Sequence, residues 1–118
     1  MKTIIAGSRN FYGYAVLEEM INVITWEITE VVSGGAKGVD KMGELWADDH
    51  NVPLIRFPAE WDKYGKAAGY IRNKQMAEYA DALIAIQLQG SKGTANMITL
   101  AREMGLKVIV WEINEYEF

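Results

Sequence analysis

Residues 33–40 read Ser33-Gly34-Gly35-Ala36-Lys37-Gly38-Val39-Asp40, and this stretch decides the fold that we predict. The three residues before it are Glu-Val-Val, which is typical of a short buried strand. After it, apolar or small residues follow at helical spacing, at Val39, Met42, Gly43 and Trp46. Glycines between a strand and a helix let the backbone take positive φ and approach a ligand closely. The free amides and positive dipole end of the helix then suit an anion, although a tight turn without a ligand is the alternative.

This stretch differs from two familiar phosphate-binding motifs. It has neither the Gly-x-x-x-x-Gly-Lys-Ser/Thr pattern of a P-loop nor the Gly-x-Gly-x-x-Gly pattern of dinucleotide-binding domains. Two similar turns strengthen the interpretation, Gly-Ser-Arg-Asn at 7–10 and Gly-Ser-Lys-Gly-Thr at 90–94. Each of them follows an apolar run and precedes a helical pattern. We call residues 7–10, 33–40 and 90–94 the first, second and third turns.

Strands and helices alternate along the chain. The apolar runs predict strands at 2–7, 30–33, 53–57, 82–88 and 107–111. The 3.6-residue periodicity predicts helices at about 13–25, 39–50, 70–79 and a fourth that ends before Gly105, with an irregular segment at 58–69. This order indicates one α/β domain over residues 1–118. We expect a doubly wound, Rossmann-like fold with a five-stranded, mainly parallel sheet and helices on both faces.

Composition limits the classes of function. The 118 residues are half hydrophobic, carry a formal net charge of −4 and include no cysteine. The absence of cysteine excludes disulfides and thiolate chemistry and fits a cytoplasmic location, which we expect. The N-terminal apolar run is too short for a signal peptide or a membrane span, so we expect no membrane partner. The acidic balance argues against wrapping DNA but permits a local positive pocket.

A ligand site is predicted where the three turns meet. Ligands of doubly wound sheets bind beyond the carboxyl ends of the strands, near the switch in strand order. Hydroxyls, backbone amides and cations at this position make an anion pocket. The predicted ligand-binding residues are Gly7, Ser8, Arg9, Ser33, Gly34, Gly35, Lys37, Gly38, Asp40, Arg72, Asn73, Gly90, Ser91, Gly93 and Thr94.

Several of these residues have a second interpretation. Ser8 and Thr94 can serve only as helix caps. Lys37 can be an exposed loop lysine, as can Lys92, and Arg72 can be an exposed helix charge. Arg9 and Arg72 are the residues that we expect to pair with a phosphate.

Asp40 is the weak candidate for a catalytic residue. It can act as a general base, bind a ribose hydroxyl or stabilise the first turn of its helix, and we favour the last two roles. Trp61 and Tyr64 can stack on a base or anchor their loop in the core. His50 is interpreted as a surface residue at a helix end. The sequence shows no Ser–His–Asp set and no cluster of metal ligands, so we predict neither a metal site nor a cofactor.

Four segments carry a resemblance to a known family. They are Ala6-Gly7-Ser8-Arg9, the second turn, Arg72-Asn73-Lys74-Gln75-Met76-Ala77 and Gly90-Ser91-Lys92-Gly93-Thr94-Ala95. In this order they resemble the SLOG superfamily of Rossmann-like domains, most closely its YspA/YpsA-related branch. The resemblance implies a nucleotide or nucleotide-derived ligand at these turns.

Two related families point in different directions. The DNA-processing protein A family has similar Gly-Ser-Arg, Gly-x-Ala-Arg-Gly-x-Asp and Arg-Asn-Arg segments and binds single-stranded DNA. Lys74 stands here at the position of its second arginine, and the chain is acidic, so we expect no nucleic-acid partner. The Lonely Guy phosphoribohydrolases have a Gly-Gly-x-Gly-Thr-x-x-Glu motif. Aligned on Gly93-Thr94, the position of that glutamate holds Met97, which removes the obvious group for cleaving an N-glycosidic bond.

Our leading hypothesis is a module that binds a nucleotide or nucleotide-derived small molecule for sensing or sequestration. The second hypothesis is a hydrolase or transferase that acts at the ribose or phosphate of a nucleotide. The third is an accessory protein that binds single-stranded DNA. Trp111 and Tyr116 suggest a homodimer surface, and a patch covered by the chain's own helices explains them equally well.

Overall fold

A computed structural model gives the fold of the protein and describes residues 1–88 and 90–113. Five strands alternate with five α-helices and one 3₁₀ turn. The strands are β1 (Lys2–Gly7), β2 (Glu30–Ser33), β3 (Leu54–Arg56), β4 (Ala82–Leu88) and β5 (Lys107–Ile113). The helices are α1 (Tyr14–Asn22), α2 (Val39–Asp49), α3 (Trp61–Tyr64), α4 (Ala68–Tyr79) and α5 (Lys92–Glu103), with the 3₁₀ turn at Gly65–Ala67.

The sheet is parallel throughout its described strands and has the order β3-β2-β1-β4-β5. Central strand β1 pairs with β2 on one side and with β4 on the other. The direction of winding therefore reverses between β1 and β4. In a doubly wound sheet the crevice beyond the carboxyl ends of those two strands is where ligands bind. The predicted α/β Rossmann-like fold is confirmed.

Helices cover both faces of the sheet because alternate strand residues point to opposite sides. On one face, Ile5 and Ile84 pack in a core cluster with Leu17 of α1 and Trp46 of α2. On the other, Leu83 packs with Met76 of α4 and Met97 of α5, as part of a second cluster. Two apolar layers thus hold the carboxyl ends of the strands at a common level. None of the described helices has the length and apolar character needed to cross a membrane.

Three segments differ from the prediction. Helix α1 ends at Asn22 rather than near residue 25, and the segment predicted as irregular, 58–69, contains α3, the 3₁₀ turn and the start of α4. The buried face of α4 contains Asn73, Met76 and Ala77 rather than a stripe spaced by four from Ile71. Small and polar residues on that face give little hydrophobic periodicity, which explains why the sequence missed it.

Two features of the C-terminal part bear on the predicted homodimer surface. Strand β5 extends to Ile113, two residues beyond the prediction. Trp111 is partly buried and packs against the first core cluster, as expected for a residue covered by its own chain. Tyr116 lies outside the described residues.

The first and second turns touch at Gly38. Gly38 has φ of 75°, and a Cβ atom added there would lie 2.3 Å from the carbonyl oxygen of Ser8. The same oxygen accepts a hydrogen bond of 3.3 Å from the amide of Val39. Gly38 therefore combines a backbone conformation and a close approach that only glycine allows.

Replacing this glycine should destabilise the fold. We expect Gly38→Ala to lower the free energy of unfolding by at least about 2 kcal/mol, because positive φ and the clash with Ser8 act together. Gly35→Ala is the matched control, since Gly35 also has positive φ but meets no atom within 4 Å of an added Cβ. The Gly35→Ala variant should lose only about 1 kcal/mol of its free energy of unfolding. Equal losses in urea denaturation would contradict the contact between the two turns.

Candidate functional site

A cavity of about 750 Å³ lies beyond the carboxyl ends of β1 and β4, at the point where the strand order reverses. We call it the first cavity. Its volume lies within the range of about 300–1,000 Å³ that ligand pockets usually have. Its walls come from all three turns, from α4 and from the neighbouring ends of β1, β4 and α5. The lining residues are Ala6, Gly7, Ser8, Arg9, Asn10, Ala36, Asp40, Arg72, Asn73, Met76, Leu88, Gly90, Ser91, Gly93, Thr94 and Met97.

Ser8 joins the first turn to β4 and to α2. Its amide donates to the carbonyl oxygen of Ile86 at 3.1 Å, and its hydroxyl oxygen accepts from the amide of Leu88 at 2.8 Å. Its carbonyl oxygen accepts from the amide of Val39, the first residue of α2. Ser8 is buried, and these bonds fix the position of the neighbouring Arg9. The structure thus gives Ser8 a role in joining three elements rather than in capping a helix.

Side-chain hydrogen bonds hold the second turn in place. The hydroxyl of Ser33 donates to Glu44 at 2.8 Å and accepts from the amide of Gly35 at 3.0 Å. The Oδ2 atom of Asp40 accepts from the amide of Ala36 at 3.2 Å. Ser33 is fully buried, so its predicted contact with a ligand has no support from its position.

Asp40 lies on α2, where its carboxyl group is buried against the second turn. Burial raises its pKa, and the like charge of Glu44 acts in the same direction. Hydrogen bonds from the amides of Ala36 and Gly7 and the charge of Arg72 oppose that change. Asp40 lies in the first turn of α2, as the predicted helix-stabilising role requires, but these hydrogen bonds come from residues before that helix. The group also lines the first cavity, where it can accept a hydrogen bond from a hydroxyl.

Arg72 and Asn73 connect the second turn to the third. The Nη1 atom of Arg72 donates to the carbonyl oxygen of Gly34 at 2.6 Å, and its Nε atom donates to Oδ1 of Asn73 at 3.1 Å. The Nδ2 atom of Asn73 donates to the carbonyl oxygen of Gly93 at 3.3 Å and to Oδ1 of Asn96 at 3.0 Å. A side chain at Gly34 would collide with Arg72, since an added Cβ would lie 2.4 Å from Nη1.

The Arg72 guanidinium lies in an environment short of negative charge. Burial lowers its pKa, and the nearby Arg9 lowers it further, whereas the charge of Asp40 acts in the opposite direction. Arg9 is exposed at the rim of the same cavity. Two cations that repel each other across a cavity are stabilised when an anion lies between them.

The third turn begins α5. Ser91 occupies the N-cap position and its hydroxyl donates to Oγ1 of Thr94 at 2.8 Å, so the second interpretation of Thr94, as the helix cap, does not hold. Among the described residues, the amides of 92–94 have no backbone acceptor, as expected for a first helical turn. Gly93 lines the cavity, and a Cβ atom added there would meet nothing within 4 Å.

A second cavity of about 360 Å³ lies beside the first. The two cavities share Arg9, Ala36 and Arg72. The residues that line the second cavity are Arg9, Gly34, Gly35, Ala36, Lys41, Arg56, Pro58, Ala59, Trp61 and Arg72. Trp61 is 52% exposed and Tyr64 is 37% exposed, so neither is a buried loop anchor.

The structure therefore brings most of the predicted residues together. Ten of the fifteen line the first cavity, Gly34 and Gly35 line the second, and three line neither, namely Ser33, Lys37 and Gly38. Lys37 is exposed, as its second interpretation predicted.

His50 caps the end of α2 and stacks on Trp46, with ring centroids 4.3 Å apart, away from both cavities. Within the described ranges, no group of His, Cys, Asp or Glu side chains is arranged to hold a metal ion.

Sequence reasoning missed Glu44 and Arg56. Glu44 is buried below the second turn and accepts hydrogen bonds from Ser33, from Arg56 at 2.8 Å and from Lys41 at 3.4 Å. A signal was available, because Glu44 follows Asp40 by four residues and therefore lies on the same side of α2. Arg56 gave no such signal, because its contact with Glu44 depends on the pairing of β3 with β2.

The ionisation of Glu44 should make stability depend on pH. Burial alone raises its pKa, but hydrogen bonds from Arg56 and Ser33 and the charge of Lys41 outweigh burial and leave the pKa lowered. The folded protein therefore holds the charged form more strongly than the unfolded chain does. That stabilisation is present above the ordinary glutamate pKa and is lost as the pH falls through the lowered value.

We expect Glu44→Gln to be less stable than the wild type by about 1–3 kcal/mol at pH 7, because a buried charged hydrogen-bond network is lost. The difference should shrink as the pH falls below about 4.3, where the glutamate of the unfolded chain becomes protonated. Urea denaturation at several pH values measures it. Glu103→Gln, at an exposed site on α5, is the control. A difference that stays constant down to pH 3 would contradict the assignment.

Comparison with known proteins agrees with this fold. Residues 1–64 match the YAcAr family, described as the YspA, cpYpsA-related SLOG family. The Gene 61 protein of Mycobacterium phage D29 is 36% identical over an alignment of 85 residues that covers 67% of this chain and 68% of that protein. The structure of DNA processing protein A from Streptococcus pneumoniae superposes with a TM-score of 0.58 at 18% identity, over 92% of this chain and 58% of that one. The similarity to that structure concerns the fold. The match over the first 64 residues and the phage relative show that this chain belongs to the YspA, cpYpsA-related SLOG family.

Proposed function

We propose that the protein binds a nucleotide or nucleotide-derived small molecule in the first cavity, for sensing or sequestration. The observation that carries this proposal is the position and lining of that cavity. It lies at the reversal of the strand order, where doubly wound folds bind ligands, and main-chain turns form much of its wall. Its described lining includes two arginines and one carboxylate, although the whole chain has a formal charge of −4.

In this proposal, the phosphate of the ligand binds at the start of α5. Among the residues that the structure describes, the amides of 92–94 have no backbone acceptor, and the helix dipole is positive at this end. Gly93 supports this placement, because neither a positive φ nor a neighbouring atom requires glycine at that position. A residue without a side chain leaves room there for a ligand oxygen to reach the backbone.

The rest of the ligand extends across the cavity. Arg9 and Arg72 supply the charges that pair with the phosphate, and Asp40 accepts a hydrogen bond from a ribose hydroxyl. The apolar side chains of Met76, Leu88 and Met97 line the same space and offer a surface for a sugar or base. This mixture of apolar wall and few polar groups is usual for sites that bind small molecules.

Binding without turnover is favoured over catalysis. Met97 is buried and lines the cavity at the position where related phosphoribohydrolases have glutamate. A thioether can neither donate a proton nor stabilise an oxocarbenium ion as a carboxylate does.

One observation supports a second candidate, a phosphoribohydrolase-like activity. Asp40 lines the cavity, and burial raises its pKa, which is a property of many acid–base groups. Such an enzyme would add water across the N-glycosidic bond of AMP and release adenine and ribose 5-phosphate. Chromatography of AMP after prolonged incubation with the protein detects these products. Products that vanish with Asp40→Asn would support the candidate, and unchanged AMP would count against it.

The first proposal predicts a specific loss of affinity in Arg9→Ala. Titration calorimetry with AMP should give weaker binding by about 1–3 kcal/mol, because a charged hydrogen bond to the phosphate is removed. Arg102→Ala is the matched control, since it removes the same charge from the last turn of α5. It should bind AMP like the wild type.

Equal affinity of Arg9→Ala and the wild type would remove Arg9 from the site. Failure of AMP, cyclic AMP and ADP-ribose to bind at millimolar concentration would reject the proposal as a whole.

A further inference from the structure

The second cavity is lined by several cationic residues, and the proposed mononucleotide site involves only two of them. Four of its lining residues are cations, namely Arg9, Lys41, Arg56 and Arg72, and none of its described lining residues is acidic. Glu44 lies beneath and pairs with both Arg56 and Lys41. One carboxylate cannot neutralise two cations, and the side chains of Lys41 and Arg56 remain 53% and 58% exposed.

The same cavity has an aromatic wall. Trp61 begins α3 and is 52% exposed, which is unusual for the largest apolar side chain in a short helix. Pro58 and Ala59 lie beside it in the lining and are too small to cover the indole. An exposed indole near cations is the combination that proteins use to stack a base and hold its phosphate.

The two cavities are neighbours that share part of their walls. Arg9, Ala36 and Arg72 belong to both, so a phosphate at the two arginines can be shared by groups on either side. Arg72 is fixed there by its bonds to Gly34 and Asn73. The second volume, about 360 Å³, is close to the lower limit of about 300 Å³ for ligand pockets. It is therefore large enough for one additional small unit.

We propose that the ligand is a linear dinucleotide with one unit in each cavity, in which Trp61 stacks on the second base and Lys41 and Arg56 hold the phosphate of that unit. This proposal rests on the proposed function, because the first unit lies in the first cavity. Linking two units makes the second contact intramolecular, so affinity rises without any change in the first site.

The test compares AMP with the linear diadenylate pApA. Titration calorimetry of the wild type should give at least about tenfold tighter binding of pApA. Tryptophan fluorescence should be quenched by pApA more than by AMP, because Trp61 is the most exposed of the four tryptophans. Trp61→Ala and Lys41→Ala should each bring the affinity for pApA close to that for AMP, and Trp61→Ala should remove the additional quenching.

Two matched variants control for general effects. Tyr64→Ala removes an exposed aromatic residue from the same helix α3, and Lys66→Ala removes an exposed lysine from the 3₁₀ turn. Neither residue lines either cavity, so both variants should keep the full preference for pApA.

The outcomes separate the two proposals. Equal binding of AMP and pApA, or an unchanged preference in Trp61→Ala, overturns the second subsite and leaves the first site intact. Absence of binding by either ligand overturns both. Affinity that continues to rise from two to four to eight linked adenylates overturns the dinucleotide and indicates a single-stranded nucleic acid instead.

Discussion

The site depends on the hydrogen bonds by which Ser8 holds the end of β1 against β4 and α2. Its amide and its hydroxyl both bond to β4, and its carbonyl oxygen accepts a hydrogen bond from the first residue of α2. Parallel pairing alone brings the strand ends to one level, but it leaves the turns free to diverge. Ser8 fixes the first turn, and the contact at Gly38 brings the second turn against it. Arg72 and Asn73 then connect the second turn to the third. Small and polar residues thus hold three turns that are distant in the sequence around one volume.

The charges follow from this arrangement. Asp40 and Glu44 lie one helical turn apart on α2 and are both buried beneath the second turn. Each is satisfied by different groups, Asp40 by backbone amides and Glu44 by Ser33, Arg56 and Lys41. Burying a carboxylate costs stability unless such partners are present. With these carboxylates so occupied, Arg9 and Arg72 give the cavities a positive character in a chain that is acidic overall.

The sequence was sufficient for the fold and for the positions of the turns, since long apolar strands such as β4 and the glycine turns give strong local signals. The first cavity was accessible in the same way, because a parallel sheet brings its carboxyl ends together. The sequence offered Trp61 as a possible base-stacking residue, but neither helix α3 nor the second cavity could be predicted from it. Trp61 reaches that cavity through a short helix with no measurable periodicity. Arg56 reaches it through strand pairing, and neither contact leaves a pattern within a few residues of either position.

The most direct measurement of the central claim is a titration of ¹⁵N-labelled protein with AMP, followed by the chemical shifts of the backbone amides. The claim is that one anionic ligand contacts all three turns. It predicts that the amides of residues 7–10, 34–38 and 91–94 shift together, with one common dissociation constant. Shifts confined to a single turn, or centred on a surface outside both cavities, would contradict it.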